Sequence, residues 1–189
     1  MKIHETQLEV VRASALDVEA EAIVNAANKA MRGGGGIDGA IHSRGGRELM
    51  NELEIVAPDG AQTAEVVVTG GHRLPHRFVF HVAGPVWNER RAGECDELLE
   101  SAYRNALTEA DARRLQTIVV PSISTGVYAF PLVRAASIAL ATAMEWLKSH
   151  PDTSLRRVTF AMWGGEEHHV FRRALEKLER QTGEHETNS

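Results

Sequence analysis

Polar side chains able to do chemistry surround a run of glycines near the start of the chain. Asn25 and Asn28 precede the run Gly33–Gly36, and Asp38 and His42 follow it. Asp38 and His42 are four residues apart, so they share one face of any helix that begins here. A glycine-rich loop before a helix binds anions, and a carboxylate beside such a loop repels the anion. We therefore expect Asp38, at an exposed helix start, to serve in chemistry or to hold hydroxyl groups.

A strand, a loop and a helix start must position these side chains. The apolar run Ala22–Val24 predicts a buried strand. The glycines lack Cβ atoms, so the backbone can approach a ligand, and the free N–H groups of the first helical turn then point at that ligand. The spacing Gly34-x-Gly36-x-x-Gly39 fits the dinucleotide fingerprint, but residues 26–32 separate the strand from the glycines, and that context does not fit.

Four motifs together resemble the macrodomain family, which consists of ADP-ribose-binding α/β modules. They are AIVNAAN at 22–28, GGGGIDGAIH at 33–42, HVAGP at 81–85 and ISTGVY at 123–128. The chain most resembles the MacroD-type branch, whose members remove ADP-ribose from acidic side chains and deacylate O-acetyl-ADP-ribose. The resemblance implies an ADP-ribosyl hydrolase of this type. The alternative is a non-catalytic reader that binds ADP-ribose and recruits partners.

The resemblance also implies roles for individual residues. Asn28 would hold the distal ribose hydroxyls, and His42 would support Asp38. Asp38 would orient or deprotonate a water, or bind a ribose hydroxyl so that the substrate itself assists. The expected substrate-binding residues are Ser14, Ala15, Asn25, Ala26, Gly35, Gly36, Ile37, Ser124, Thr125, Gly126, Val127, Tyr128 and Trp163. Retention of all three catalytic candidates favours the enzyme over the reader.

The sequence departs from the family pattern at the adenine contact. The family carries Gly-Asp-Ile before the strand, and its Asp accepts a hydrogen bond from the adenine amine. Counting back without gaps, this chain has Ala13–Ser14–Ala15. We therefore expect stacking on Trp163 to provide most of the purine affinity, with little discrimination between adenine and guanine. The Ala-Ala-Gly after the helix histidine also becomes Ser43–Arg44–Gly45–Gly46.

The composition of the chain limits the classes of partner that the protein is expected to bind. The net charge of −5 disfavours nucleic acid, which is bound through Lys and Arg on its phosphates. No apolar run approaches the ~20 residues that span a bilayer, and no signal peptide opens the chain, so we expect a cytoplasmic protein without membrane contact. One cysteine, Cys95, excludes an internal disulfide. The expected partners are ADP-ribose, O-acetyl-ADP-ribose and mono-ADP-ribosylated proteins, bound by a monomer.

Metal and serine chemistry are not expected. The nine histidines and the single cysteine show no convincing ligand spacing. Ser124 has no candidate base at a diagnostic spacing, which argues against a serine hydrolase. We therefore predict a site that requires no metal and no cofactor.

Strand and helix patterns alternate along the chain and predict an α/β fold. Strands are expected within 2–11, 23–25, 65–69, 78–83, 117–121 and 158–163, and helices over 37–54, 94–113, 132–149 and 166–180. This order implies a three-layer α/β/α fold with a mixed, mostly parallel central sheet. We expect a single domain over 1–182 and a disordered tail over 183–189. Because ligands bind at the carboxyl ends of such strands, loops 26–37 and 122–130 are the expected binding loops.

Overall fold

A seven-stranded sheet with helices on both faces forms the protein, as seen in a computed structural model that describes residues 1–186. The strands are β1 Lys2–Ile3, β2 Thr6–Arg12, β3 Ala22–Ala27, β4 Val66–Gly70, β5 Phe78–Ala83, β6 Thr117–Val120 and β7 Arg157–Met162. The helices are α1 Gly36–Gly45, α2 Arg47–Val56, α3 Ala92–Ala112, α4 Leu132–Ser149 and α5 Gly165–Glu186. Short 3-10 turns occupy Ala15–Asp17 and Glu89–Arg91.

The strand order is β1-β2-β7-β6-β3-β5-β4. The pairs β2–β7, β7–β6, β6–β3 and β3–β5 are parallel, and antiparallel β1 and β4 form the two edges. The predicted mixed, mostly parallel sheet is confirmed. The central strands are apolar on both faces because helices cover both sides, as is usual for parallel sheets.

Alternate residues of the central strands supply two separate cores. Ala22 and Val24 of β3 pack with α3, α4 and α5 on one face. Ile23 points to the other face, where it packs with Ile41 of α1 and Leu49 of α2. This alternation follows from the two-residue period of a strand, and it gives the three predicted layers.

The predicted helix 37–54 is in fact two helices. Gly46 adopts a φ of +84°, and a glycine in this left-handed region ends a helix. Helix α1 therefore stops at Gly45 and α2 starts afresh at Arg47, which turns the chain back toward β4.

Other boundaries differ by smaller amounts. Strand β3 continues to Ala27, so the first binding loop is shorter than predicted. Helix α4 has the predicted bounds, with Pro131 as its N-cap. Helix α5 runs to Glu186, past the predicted end at 180, so the expected tail starts as helix, and residues 187–189 lie outside the described part. Among residues 1–186, no helix is long and apolar enough to cross a membrane.

The parallel strands place five loops along one edge of the sheet. The segments after β2, β7, β6, β3 and β5 lie side by side in that spatial order, because all five strands point the same way. In α/β sheets this carboxyl edge is where ligands bind.

Candidate active site

A cavity of about 860 Å³ opens at this carboxyl edge. All five loops contribute to its lining. Of the predicted site residues, the lining includes Ser14, Ala15, Ala26, Asn28, Gly35, Gly36, Ile37, Asp38, Ser124, Thr125, Gly126, Val127, Tyr128 and Trp163. Asn25 and His42 are not part of the lining. A cavity of this size accommodates a nucleotide-sized ligand.

The end of the cavity nearest β2 and β7 is apolar and carries an aromatic side chain. The Ala13 N–H donates to the Met162 carbonyl at 3.1 Å, so the next residues, Ser14 and Trp163, lie side by side. Trp163 is 81% exposed, which leaves its indole available for stacking. Ile37 and neighbouring small residues complete this end, which therefore suits a flat base.

A charged pair missed by the sequence analysis lines the cavity near the same end. Arg44 Nη1 donates to Asp17 Oδ1 at 2.7 Å, and both side chains are more than half exposed. Both residues line the cavity. Arg44 belongs to the segment that departs from the family pattern, and this departure was the available signal.

The middle of the cavity is formed by the glycine loop and the start of α1. Gly35 is the N-cap of α1, and no side chain caps this helix, so its first N–H groups remain available to a ligand. A Cβ added at Gly35 or Gly36 would meet no protein atom within 4 Å. Open space and free N–H groups together make an anion site.

The loop after β6 faces the glycine loop across the cavity. The buried hydroxyl of Tyr103 accepts from the Ile123 N–H at 2.9 Å, and burial raises the pKa of Tyr103. Ser124 adopts a φ of +67°. It also packs closely against Gly84, because a Cβ added at Gly84 would lie only 2.2 Å from Ser124 Oγ. The loop is thus held at its base, whereas Val127 at its tip is 96% exposed.

Glu167 of α5 joins this loop from the other side and was not predicted. Its Oε1 lies 3.5 Å from Thr125 Oγ1, although the two residues are 42 positions apart in the sequence. Burial raises the pKa of Glu167, although hydrogen bonds to its carboxylate oppose that effect. No local spacing in the sequence signals this contact.

Asp38 is buried, contrary to the predicted exposed helix start. It is only 3% exposed, because α1 packs its first turn against the end of β3. Its Oδ1 accepts from Asn25 Nδ2 at 2.6 Å. Its Oδ2 faces Gly34, because a Cβ added at Gly34 would lie 3.0 Å from this oxygen. One oxygen is therefore held within the protein, and the other is directed toward the glycine loop and the cavity.

Asn25 supports Asp38 and is not part of the cavity lining in this structure, which differs from the expected substrate-binding position. Asn25 shares the face of β3 that α1 covers and is fully buried. Its Nδ2 lies 2.6 Å from Asp38 Oδ1 and 3.0 Å from His81 Nδ1. His81 lies directly opposite Asn25 in the β3–β5 register, a neighbour that pairing the two strands in sequence could have found.

His42 lies behind Asp38 and does not line the cavity. Its Nε2 lies 3.2 Å from Asp38 Oδ1 without aligned hydrogen-bond geometry. The ring stacks on His81 at a centroid distance of 5.7 Å. This placement agrees with the supporting role that was the sequence-based expectation.

Asn28 lines the cavity beside Asp38. Its Nδ2 donates to the Gly33 carbonyl at 2.8 Å, while its buried Oδ1 has no hydrogen-bond partner in the protein. A buried acceptor without a partner is costly, so this oxygen is available for a donor from a ligand. Within the described residues, no three His, Cys, Asp or Glu side chains are grouped to hold a metal ion.

Comparison with known proteins agrees with this geometry. The family model described as Macro domain matches residues 24–139. A macro domain-containing protein of Caldanaerobacter subterraneus is 39% identical over 176 residues, which cover 92% of this chain and 98% of that protein. The chain therefore belongs to the Macro domain family, and the resemblance seen in the sequence is confirmed.

A relative named for an activity and solved structures with bound ligands are both similar to this chain. O-acetyl-ADP-ribose deacetylase 1 of Pantoea vagans is 36% identical over 171 residues, covering 89% of this chain and 98% of that protein. The Oceanobacillus iheyensis macrodomain with ADP has a TM-score of 0.90 and 36% identity, with 96% of each chain covered. The Trypanosoma brucei macrodomain in complex with ADP-ribose has a TM-score of 0.82 and 35% identity, covering 89% of this chain and 68% of that chain.

Proposed function

We propose that this protein is a hydrolase of ADP-ribose derivatives. Its substrates are mono-ADP-ribosyl groups on Asp and Glu side chains of proteins, and O-acetyl-ADP-ribose. Both are esters that release ADP-ribose and a carboxylic acid when water is added. The observation that carries the proposal is the different environment of the two Asp38 carboxylate oxygens. One accepts a hydrogen bond from Asn25, and the other is directed toward the cavity.

The cavity divides into three parts that match the parts of ADP-ribose. The purine lies at the end formed by β2 and β7, against Trp163 and Ile37. The diphosphate lies over the glycine loop and the loop at 122–128, where N–H groups and the helix dipole favour negative charge. The distal ribose then reaches Asn28 and Asp38 at the β3 end.

The reacting end carries the groups that ester hydrolysis needs. Asn28 Oδ1 accepts a hydrogen bond from a ribose hydroxyl, which fixes the sugar. Asp38 Oδ2 accepts either from a water or from a second ribose hydroxyl, so that the attacking oxygen is oriented and made more nucleophilic. Water supplies a hydroxyl group to one product and a proton to the other, and the acid leaves as a carboxylate at neutral pH.

The relatives support the same assignment. The solved neighbours with ADP and with ADP-ribose share the fold over most of the chain, and a relative over nearly the full length is named for O-acetyl-ADP-ribose deacetylation. Stabilisation of negative charge by backbone N–H groups at the diphosphate and the leaving group adds to the effect of Asp38.

Incubation with a protein mono-ADP-ribosylated on a glutamate tests the proposal. We expect the wild-type protein to release free ADP-ribose and the Asp38→Asn variant to release far less. Calorimetry with ADP-ribose on both proteins separates catalysis from binding. Tight binding without release by the wild type would instead identify a reader, and absence of binding at millimolar ligand would exclude both functions.

A further inference from the structure

A row of buried polar side chains leads from Asp38 into the sheet. Asp38 Oδ1 accepts from Asn25 Nδ2 at 2.6 Å, and the same Nδ2 lies 3.0 Å from His81 Nδ1. On the other side of the imidazole, His81 Nε2 lies 3.0 Å from Thr69 Oγ1. The row crosses β3, β5 and β4, and its four members are at most 3% exposed.

The hydrogen bonds of the row fix the positions of its protons. The Asn25 amide nitrogen has two hydrogens, and the carboxylate and the imidazole take one each. His81 Nδ1 must therefore be an acceptor, which places the ring proton on Nε2. That proton is donated to Thr69 Oγ1, whose own hydroxyl hydrogen is donated to the Gly70 carbonyl at 3.1 Å. Every donor in the row thus has one acceptor.

The amide of Asn25 could present either end to Asp38, and Asp38 and His81 together favour the nitrogen end. Asn25 Oδ1 is buried and has no hydrogen-bond partner, so no contact at the oxygen end selects the orientation. If the amide turned over, its oxygen would face the Asp38 carboxylate and repel it. The acceptor at His81 Nδ1 keeps Nδ2 where it serves the carboxylate.

The surroundings of His81 keep it neutral. Burial and, to a smaller extent, the nearby His42 lower the pKa of His81 from 6.5 to about 3, although Asp38 opposes both effects. His42 and Asp38 are the titratable groups that face it, both from α1, while β3 and β4 present the neutral Asn25 and Thr69. Above about pH 5 the ring therefore retains the lone pair that the row requires.

We propose that His81 is a positioning residue for Asp38, acting through the Asn25 amide to keep Oδ1 hydrogen-bonded and Oδ2 directed toward the cavity. Its kinetic consequence rests on the proposed hydrolase function, whereas its effect on the hydrogen bond between Asn25 and Asp38 does not. Loss of the acceptor at position 81 should therefore free the Asn25 amide to turn and weaken that hydrogen bond.

Two substitutions separate the two ends of the imidazole. His81→Asn places an oxygen near the position of Nδ1, so it keeps the contact with Asn25 and gives up the one with Thr69. His81→Gln reaches the position of Nε2 and gives up the contact with Asn25. His76→Gln is the matched control, because His76 is equally buried and bonds to the Val18 carbonyl at 3.0 Å, away from Asp38.

The readout is the exchange of the Asn25 side-chain amide protons with water, followed by NMR in protein labelled with nitrogen-15. We expect faster exchange of these protons in His81→Gln and wild-type exchange in His81→Asn and His76→Gln. The value of kcat should fall about tenfold in His81→Gln, with little change in KM, if the weakened hydrogen bond contributes ~1.4 kcal/mol. A core role alone would lower stability in all three variants without speeding exchange of the Asn25 amide selectively, and that result would overturn the proposal.

A measurement on the unmodified protein covers the case in which a variant does not fold. Nitrogen-15 NMR of the wild type should show His81 as the Nε2–H tautomer, still neutral at pH 5. The Nδ1–H tautomer, or a protonated ring at pH 6, would overturn the assignment. A protein that binds ADP-ribose but does not turn over, yet shows the expected change in Asn25 amide exchange, would contradict the hydrolase function and leave the positioning role intact.

Discussion

Asn28 and Gly33 are joined by a hydrogen bond of 2.8 Å from the side-chain amide to the main-chain carbonyl. This bond closes the first turn of the glycine loop, and it also determines which end of the Asn28 amide the cavity meets. With Nδ2 committed to Gly33, the unpartnered Oδ1 is the end left for a ligand. The loop and the ribose contact are therefore set by one side chain.

Removal of the Asn28 side chain should weaken the binding of ADP-ribose more than the binding of ADP. A hydrogen bond contributes ~1 kcal/mol, so Asn28→Ala should lower the ratio of ADP-ribose to ADP affinity about fivefold. ADP lacks the distal ribose, and its own affinity reports any loosening of the loop. Calorimetry with both ligands measures the ratio, and an equal loss for both would show that Asn28 only shapes the loop.

The buried carboxylate of Asp38 should be essential for turnover but not for the fold of the cavity. Asp38→Asn keeps the size of the side chain and removes its basicity, so release of ADP-ribose should slow by roughly 10²–10⁴-fold. Asp17→Asn is the control, because Asp17 also lines the cavity but is largely exposed. Wild-type turnover by the Asp38 variant would contradict the assignment.

The open space beside Gly35 should be occupied by ADP-ribose when the ligand is bound. Gly35 has a φ of −101°, which any residue adopts, and no protein atom lies within 4 Å of an added Cβ. Gly35→Val should therefore fold normally yet bind ADP-ribose about tenfold or more weakly, a loss of ~1.4 kcal/mol or more.

Gly93 provides the control for that substitution. It lies on α3, an added Cβ there also meets open space, and it does not line the cavity. Gly93→Val should bind ADP-ribose as the wild type does. Thermal melting of both variants checks the fold, and full affinity in Gly35→Val would place the diphosphate elsewhere.

The buried neutral histidines should make the protein less stable in acid. The pKa of His81 is lowered from 6.5 to about 3, chiefly by burial, and burial also lowers the pKa of His76. As pH falls from 6.5 toward 3, the unfolded chain binds protons that the folded state does not, so stability is lost on acidification. Between these pH values His81 contributes a slope of up to ~1.4 kcal/mol per pH unit, and His76 acts in the same direction.

Urea unfolding between pH 7 and pH 4.5 measures this dependence. His81→Gln should show a shallower loss of unfolding free energy with acidity than the wild type, whatever its stability at pH 7. An identical slope in the two proteins would show that His81 is protonated in the folded state.

Base selectivity should respond to the residue at position 14. Ser14 Oγ accepts from the Leu16 N–H at 3.3 Å and caps the short helical turn, a role that aspartate also fills well. Ser14→Asp should add a charge-assisted bond from the adenine amine and tighten ADP-ribose about tenfold if it contributes ~1.4 kcal/mol. The guanine analogue carries a carbonyl at that position and should gain little.

Titrations of wild type and variant against both ligands test this. We expect the wild type to separate the two ligands poorly, because stacking on Trp163 is common to both. A preference that is unchanged in Ser14→Asp would show that another group already reads the adenine edge.

The sequence predicted the layers of the fold and most of the cavity lining. Apolar strand runs and the glycine loop are local patterns, so Ile37, Ser124 and Trp163 were placed at the correct edge without knowledge of the sheet order. The break at Gly46 was missed because the apolar period continues through it, and its left-handed backbone is visible only in three dimensions.

The support of the site could not be predicted in the same way. Asp38 was expected to be exposed because helical spacing says nothing of what lies beneath the helix. Asn25 and His81 are 56 residues apart in sequence, and the parallel pairing of β3 with β5 brings them together under α1. Glu167 reaches Thr125 across a comparable separation. Contacts of this kind depend on topology rather than on local pattern.

The exposure of Trp163 makes the cavity its own optical reporter. The chain has three tryptophans; Trp146 is 3% exposed, and Trp87 packs against Phe130 with a centroid distance of 4.7 Å. Trp146 is shielded from water and Trp87 is partly shielded, whereas the exposed indole of Trp163 contributes the most solvent-relaxed, red-edge part of the spectrum. A purine that stacks on it would quench that part selectively, so occupancy can be followed by intrinsic fluorescence without any label.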